Sequence, residues 1–327
     1  MSLIHYVYSI SGAGRRMKQN GSQKRRTWQK SRFAVLSMTM IGVVYLLIFA
    51  YIPMIGLLLG FKDGDYLYSF WDALGSEWVG FSHFERFLTD MDFRSVFFNT
   101  IGLNLLCLLF NFPAPILFAV LINEVSDRRL KKTFQSVTYL PHFLSWVVFG
   151  TVILALCNTN NGVINRVLVS WGIVDSPVNF QREHFWGLII SSSVIKGVGW
   201  GSIIYLAAIS VIDPQLYEAA RIDGAGRMRC IFSITLPCIS PTITTFLLLN
   251  LSGILGNGVE QMMVFQDGTI DNEVFDTYLL RQAFGGFDGS PHYSYATALG
   301  LFRSVISMAL LAVSNAVSKV FTGKGVF

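Results

Sequence analysis

Six long apolar stretches limit what this chain can fold into. They run Phe33–Leu59, Ser95–Ile122, Phe134–Cys157, Phe185–Val211, Ile231–Leu255 and Tyr295–Val320. Each is long enough, at 1.5 Å per residue, to cross a hydrocarbon core about 30 Å thick. Hydrocarbon offers no hydrogen-bond partners, so a lipid-facing run must satisfy its own backbone as a helix. Only 14% of the residues are charged, against roughly 25% in soluble domains. The expectation is an all-α integral membrane protein with six transmembrane helices over residues 33–327, preceded by a basic tail at residues 1–32.

Basic residues set the orientation. Of 25 Lys and Arg, eight lie in the tail, among them Arg15, Lys24 and Arg32. Arg128, Arg129, Lys131 and Lys132 separate the second and third stretches. Arg221, Arg227 and Arg229 separate the fourth and fifth, and Lys319 and Lys324 lie near the C-terminus. The three other loops together hold six. The positive-inside rule then puts both termini and the loop at residues 212–230 in the cytoplasm. The net charge of +5 follows from this topology, so nucleic acid is not an expected partner. The tail is close enough to the bilayer to touch anionic lipid, at about 1 kcal/mol per basic residue. The first stretch is too long, behind too long a tail, for a cleaved signal peptide.

Cys107, Cys157, Cys230 and Cys238 form no CxxC pair, so neither a metal site nor a disulfide framework is expected. The five histidines, His5, His83, His142, His184 and His292, are scattered. In the outside loops, short helices are expected around Ser82–Leu88 and Val163–Trp171, and a helix lying on the membrane at Glu273–Phe284.

The loop at residues 212–230 has its own architecture. Asp213 is a good N-cap, Pro214 suits the first helical position, and Gly224 can end the helix in a left-handed turn. A compact helix at Pro214–Ile222, set between two spans, can seat in a groove of a soluble partner. Ala219 and Ala220 permit close approach, and Glu218 offers a carboxylate to a basic residue of that partner. Ile234 and Leu236-Pro237 tie the loop to the fifth span.

Glu218-Ala219-Ala220, Gly224, Ile234 and Leu236-Pro237 resemble the EAA loop of binding-protein-dependent ABC importer permeases of the carbohydrate, maltose-permease-like type. The resemblance covers about residues 40–320. It implies the type I importer permease fold and makes the 212–230 loop the coupling element that docks on the ATP-binding subunit. The coupling role then falls to Glu218, Ala219, Ala220, Arg221, Asp223, Gly224, Ile234, Leu236 and Pro237. The chain has no GxxxxGK[ST] phosphate loop, so ATP and Mg would belong to a separate dimer of ATP-binding subunits. A second, different six-span permease and an extracytoplasmic solute-binding protein would complete the importer, in the bacterial cytoplasmic (inner) membrane. Tyr51-Ile52-Pro53-Met54, Gly60-Phe61-Lys62-Asp63, Gly258-Val259-Glu260-Gln261, Asp276-Thr277-Tyr278 and Tyr293–Ala298 look like the branch importing oligosaccharides and polysaccharide fragments, with alginate-type importers among its members.

Polar residues within the spans are candidates for the solute path. Lys196 and Trp200 lie mid-span in the fourth stretch; Asn250, Ser252, Asn257, Glu260 and Gln261 gather beyond the middle of the fifth; Arg303 lies inside the sixth. Buried ionisable residues in spans usually face the bundle or a water-filled cavity. Lys196 with Arg303 would attract an acidic sugar, and Trp200 would stack on a ring. Each polar residue has a plainer reading as an interhelical hydrogen bond or ion pair, Arg303 with Glu260 among them. A self-contained secondary sugar transporter is the alternative function; it expects inverted repeats, and none is visible. A membrane enzyme would need a polar constellation that the chain does not show.

Overall fold

The computed structural model describes residues 35–64, 70–256, 258–266, 272–285 and 289–322. The basic tail at residues 1–32 and Asn257 lie outside the described residues. The chain divides into two compact units, Met1–Leu58 and Leu59–Phe327. Among the described residues five helices are long and apolar enough to cross a membrane, and a bent pair brings the number to six if its two halves form one span.

The helix α1, Val35–Phe61, carries a π turn at Leu47–Tyr51 just ahead of Pro53. In the second unit, α2 (Ser82–Thr89) leads into α3 (Met91–Asn111) and α4 (Pro113–Glu124). The pair α5 (Arg128–Phe143) and α6 (Trp146–Cys157) follows, then α7 (Val163–Ser170) and the long α8 (Phe185–Ser210). After α9 (Pro214–Ile222) come α10 (Arg227–Ser252), α11 (Val259–Phe265), α12 (Phe275–Gly285) and α13 (Tyr293–Thr322).

The stretch Phe134–Cys157, expected as one span, is broken. α5 and α6 meet at 104°, with Leu144 extended and Ser145 capping the new helix through its hydroxyl, which accepts from Val148 N. Pro141 stands in the last turn of α5. The two π turns share an origin. A proline lacks the N–H for an i−4 bond and its ring crowds that carbonyl. In both cases the residue before the proline bonds five residues back: Ile52 N to Leu47 O, and Leu236 N to Ile231 O ahead of Pro237. The helix is widened there and continues.

α8 is the central element, packing on α3, α4, α5, α10 and α11. Helices gain no hydrophobic drive from each other inside lipid, so close approach decides. A Cβ at Gly199 would lie 2.2 Å from the backbone oxygen of Thr138 on α5. Near the 212–230 loop, Ile116, Ala119 and Val120 of α4 pack with Tyr205 and Ile209 of α8 and Ile231 and Ile239 of α10. At the opposite end of the spans, Phe87, Phe93, Phe275, Tyr278, Tyr295 and Leu299 form an aromatic-rich core. The helix expected to lie on the membrane at Glu273–Phe284 is α12, and it contributes to that core: Phe275 and Tyr278 are fully buried.

Candidate functional site

The helix α9 forms as its local signals dictate. The Asp213 carboxylate accepts from Gln215 N at 2.9 Å, and Pro214 opens the helix. At the other end Gly224 takes φ +82°, Gly224 N bonds Arg221 O at 3.0 Å and Ala225 N bonds Ala220 O at 2.8 Å. This pair of bonds is a Schellman motif, in which the left-handed glycine lets the chain satisfy the last carbonyls.

Leu216, Glu218, Ala219, Arg221 and Ile222 are exposed, Ile222 by 87%. Asp223 and Gly224 are exposed too, while Tyr217 and Ala220 are half-buried. The helix thus presents a small, mixed apolar and charged face. Sequence reasoning named its charged and small members but passed over Leu216 and Ile222.

The tie to the fifth span differs from expectation. Leu236 packs beside the buried cluster, but Ile234 is half-buried and Pro237 exposed. Ile231 and Ile239 are the buried members. The Tyr217 hydroxyl also lies 3.0 Å from Thr235 Oγ1 in the π turn.

Two adjoining cavities, of about 200 and 310 Å³, open between α3, α4, α8 and α10. Both are lined by Asn111, Phe112, Ser193 and Asn250; Asn104 and Gln261 complete the first. Asn104 donates to Ile254 O at 2.6 Å, and the Asn250 amide to Phe246 O at 2.7 Å. Gln261 is buried and donates to Ile189 O and to the hydroxyls of Ser192 and Ser193. The Oδ1 of Asn111 is buried and has no hydrogen-bond partner among the described residues. Neutral amides and hydroxyls of this kind suit a hydroxyl-bearing solute. Asn104, Cys107, Leu108 and Asn111 follow the i, i+3, i+4, i+7 pattern of one helix face, and Ser193, Gly197 and Gly201 follow one face of α8. That spacing was the signal by which sequence reasoning could have found them.

Of the residues named from sequence, Asn250 and Gln261 meet at this cavity; Lys196, Trp200, Ser252, Glu260 and Arg303 do not line it. Lys196 donates to the backbone oxygens of Pro141 and His142 at 3.0 and 3.3 Å, and to that of Leu144. Its ammonium also lies 5.1 Å from the Trp146 ring centroid. It therefore caps the C-terminal end of α5 at the break, where the helix leaves unpaired carbonyls and negative partial charge. Trp200 stacks on His142 with centroids 4.5 Å apart. Arg303 pairs with Asp276 rather than Glu260, and Asp276 also accepts from Gly258 N. Glu260 is exposed on the first turn of α11, and the Ser252 hydroxyl bonds back to Leu249 O. Arg303 is thus paired with a carboxylate, and Lys196 spends its donors on neutral carbonyls of the chain.

Several spans, a capped helix presented between two of them, and open cavities between the helices with amide and hydroxyl groups on their walls together define a membrane-embedded transport subunit. The chain belongs to the family of binding-protein-dependent transport system inner membrane components, whose sequence pattern matches residues 94–322. Among its relatives is the protein LplB of Bacillus subtilis (strain 168), 39% identical over 290 residues and 88% of each chain. Another is the polygalacturonan/rhamnogalacturonan transport system permease protein YteP of the same organism, 38% identical, again over 88% of each. A solved bacterial ABC transporter involved in import of the acidic polysaccharide alginate contains a similar chain. It is 37% identical with a TM-score of 0.79, the match covering 91% of this chain and 99% of that one. The same likeness, 36% identical, holds in its complex with an alginate pentasaccharide-bound periplasmic protein, with 91% and 98% covered.

Proposed function

We propose that this chain is the permease subunit of an ATP-driven importer that takes up an oligosaccharide or polysaccharide fragment handed over by an extracytoplasmic solute-binding protein. The observation that carries the reading is the helix α9, held by its cap and Schellman motif with Glu218, Ala219 and Ile222 exposed. A dimer of ATP-binding subunits, holding ATP and Mg, docks on this face. Glu218, Ala219, Ala220, Arg221, Asp223 and Gly224 form or shape the docking surface, and Ile231, Leu236 and Ile239 pass its movement into α10. A second, different permease completes the translocation path. Both termini and α9 lie on the cytoplasmic side, supported by the clustering of Lys and Arg.

The solute class rests on the relatives that carry polygalacturonan, rhamnogalacturonan and alginate, and on the uncharged hydrogen-bonding wall formed by Asn104, Asn111, Ser193 and Asn250. The test is a tagged pull-down from native membranes in mild detergent, with wild type and Gly224→Asp. Wild type should bring down an ATP-binding subunit and a second six-span protein, and the variant should lose the ATP-binding subunit. Recovery of this chain alone in both cases would overturn the reading. ATP hydrolysis by the reconstituted complex, with its binding protein and oligogalacturonate or alginate oligosaccharides as probes, then identifies the solute.

A further inference from the structure

The backbone between α9 and α10 is poorly suited to transmit force. Gly224 and Gly226 stand two residues apart, and neither has any atom within 4 Å of where a side chain would begin. The Schellman bonds hold Gly224 and Ala225 to α9, so the freedom of the linker lies at Gly226, where a push on α9 would be partly absorbed.

A side-chain bond bypasses this linker. Tyr217 faces inward from α9, half-buried, with its hydroxyl 3.0 Å from Thr235 Oγ1. Thr235 is 2% exposed and closes the π turn Ile231–Thr235, whose neighbours Ile231 and Ile239 are locked against α4 and α8. From Thr235 the helix runs on to Asn250 at the cavity wall, about 22 Å further at 1.5 Å per residue.

We infer that the Tyr217–Thr235 hydrogen bond is the strut through which α9 moves α10, making Tyr217 a positioning residue for transport. This rests on the reading of α9 as the element that docks the ATP-binding subunit. Thr235 serves as the receiving end because it is anchored on the rigid side of the glycine linker. Asn250, on the same span, is the point at which the movement reaches the cavity.

The test uses the whole importer, with its partner chains, in lipid vesicles. An Asn250→Cys change reports cavity access through its rate of labelling by a maleimide, measured against the same complex without that change. ATP with Mg should alter this rate in the parent. Tyr217→Phe, which keeps the ring, should retain the ATP-binding subunit and its basal hydrolysis but shrink the ATP-driven change about fivefold, the scale of one neutral hydrogen bond. Thr235→Val should do the same, Thr235→Ser should restore the response, and Tyr217→Phe with Thr235→Val should be no worse than either alone. An undiminished response in Tyr217→Phe, or independent losses that multiply in the double variant, would overturn the strut. So would a parent complex that holds the ATP-binding subunit but whose labelling ignores ATP. A wild-type complex without any ATP-binding subunit would overturn the docking reading together with the strut.

Discussion

The ammonium of Lys196 lies 3.0 Å from the backbone oxygen of Pro141, fifty-five residues earlier in the chain. With its bonds to His142 and Leu144, this one side chain serves the end of α5 where the helix breaks. Replacing it by Met keeps the length and leaves three carbonyls without their cation. Each unsatisfied buried group costs about 1–3 kcal/mol. Lys196→Met should therefore lower the melting temperature of the detergent-solubilised protein by several degrees. A solute-binding lysine would give a different result, with stability kept and only the half-saturation for uptake raised.

Asn111 and Asn250 should behave in the opposite way. Both line the two cavities, where Asn250 is exposed and the Oδ1 of Asn111 is buried. Asn250→Leu should leave assembly and thermal stability intact and raise the half-saturation for uptake about fivefold, the cost of one neutral hydrogen bond to solute. An uptake curve on membranes with equal subunit content checks this.

Gly224 is constrained by backbone alone. Its φ is +82°, and no atom stands within 4 Å of a built Cβ. Gly224→Ala should therefore cost only the left-handed penalty, about 1–2 kcal/mol, and Gly224→Asn less, because Asn tolerates that region. Retention of the ATP-binding subunit in a pull-down should rank Gly, Asn, then Ala.

The pair Arg281 and Glu273 gives a pH-dependent outcome. Two Arg281 nitrogens donate to the Glu273 carboxylate at 2.9 and 2.7 Å. Burial raises the Glu273 carboxyl above its usual range, and Arg281 pulls it back down. In the folded state the raised value means that the group binds its proton more tightly than when unfolded. Its contribution to stability is therefore greatest at low pH and declines as pH rises through the folded value. Arg281→Gln removes the lowering influence, so the carboxyl should rise further. The variant should be clearly less stable than wild type at neutral pH, by about 3–5 kcal/mol for a broken buried pair. The gap should narrow as pH falls and the carboxyl becomes neutral. Melting curves across the acid range measure it.

Much of this architecture was legible because it is local. Apolar run length located the spans, and Asp213, Pro214 and Gly224 located α9 with its end. The break at Leu144–Ser145 was hidden because an apolar run reads the same whether straight or bent, although the capping Ser145 was its sign. Lys196 and Arg303 looked like solute ligands because a span sequence shows the cost of burying a charge but not the partner that meets it. Those partners lie 55 and 27 residues away, on other helices. The acceptors at Asn104 and Asn111 were within reach of the helical period, yet each was a lone polar residue in an apolar run and carried no motif.

The π turn before Pro237 means that α10 holds one residue more than an ordinary helix over the same path. Span length and face register are therefore uncoupled at this point. Removing one residue within Ile231–Thr235 can be absorbed by closing the turn, leaving Asn250 on its original face. The same deletion anywhere between Ile239 and Leu249 would rotate all that follows by about 100° and carry Asn250 away from the cavity. Homologous spans that differ in length by one residue should therefore place the difference in this turn.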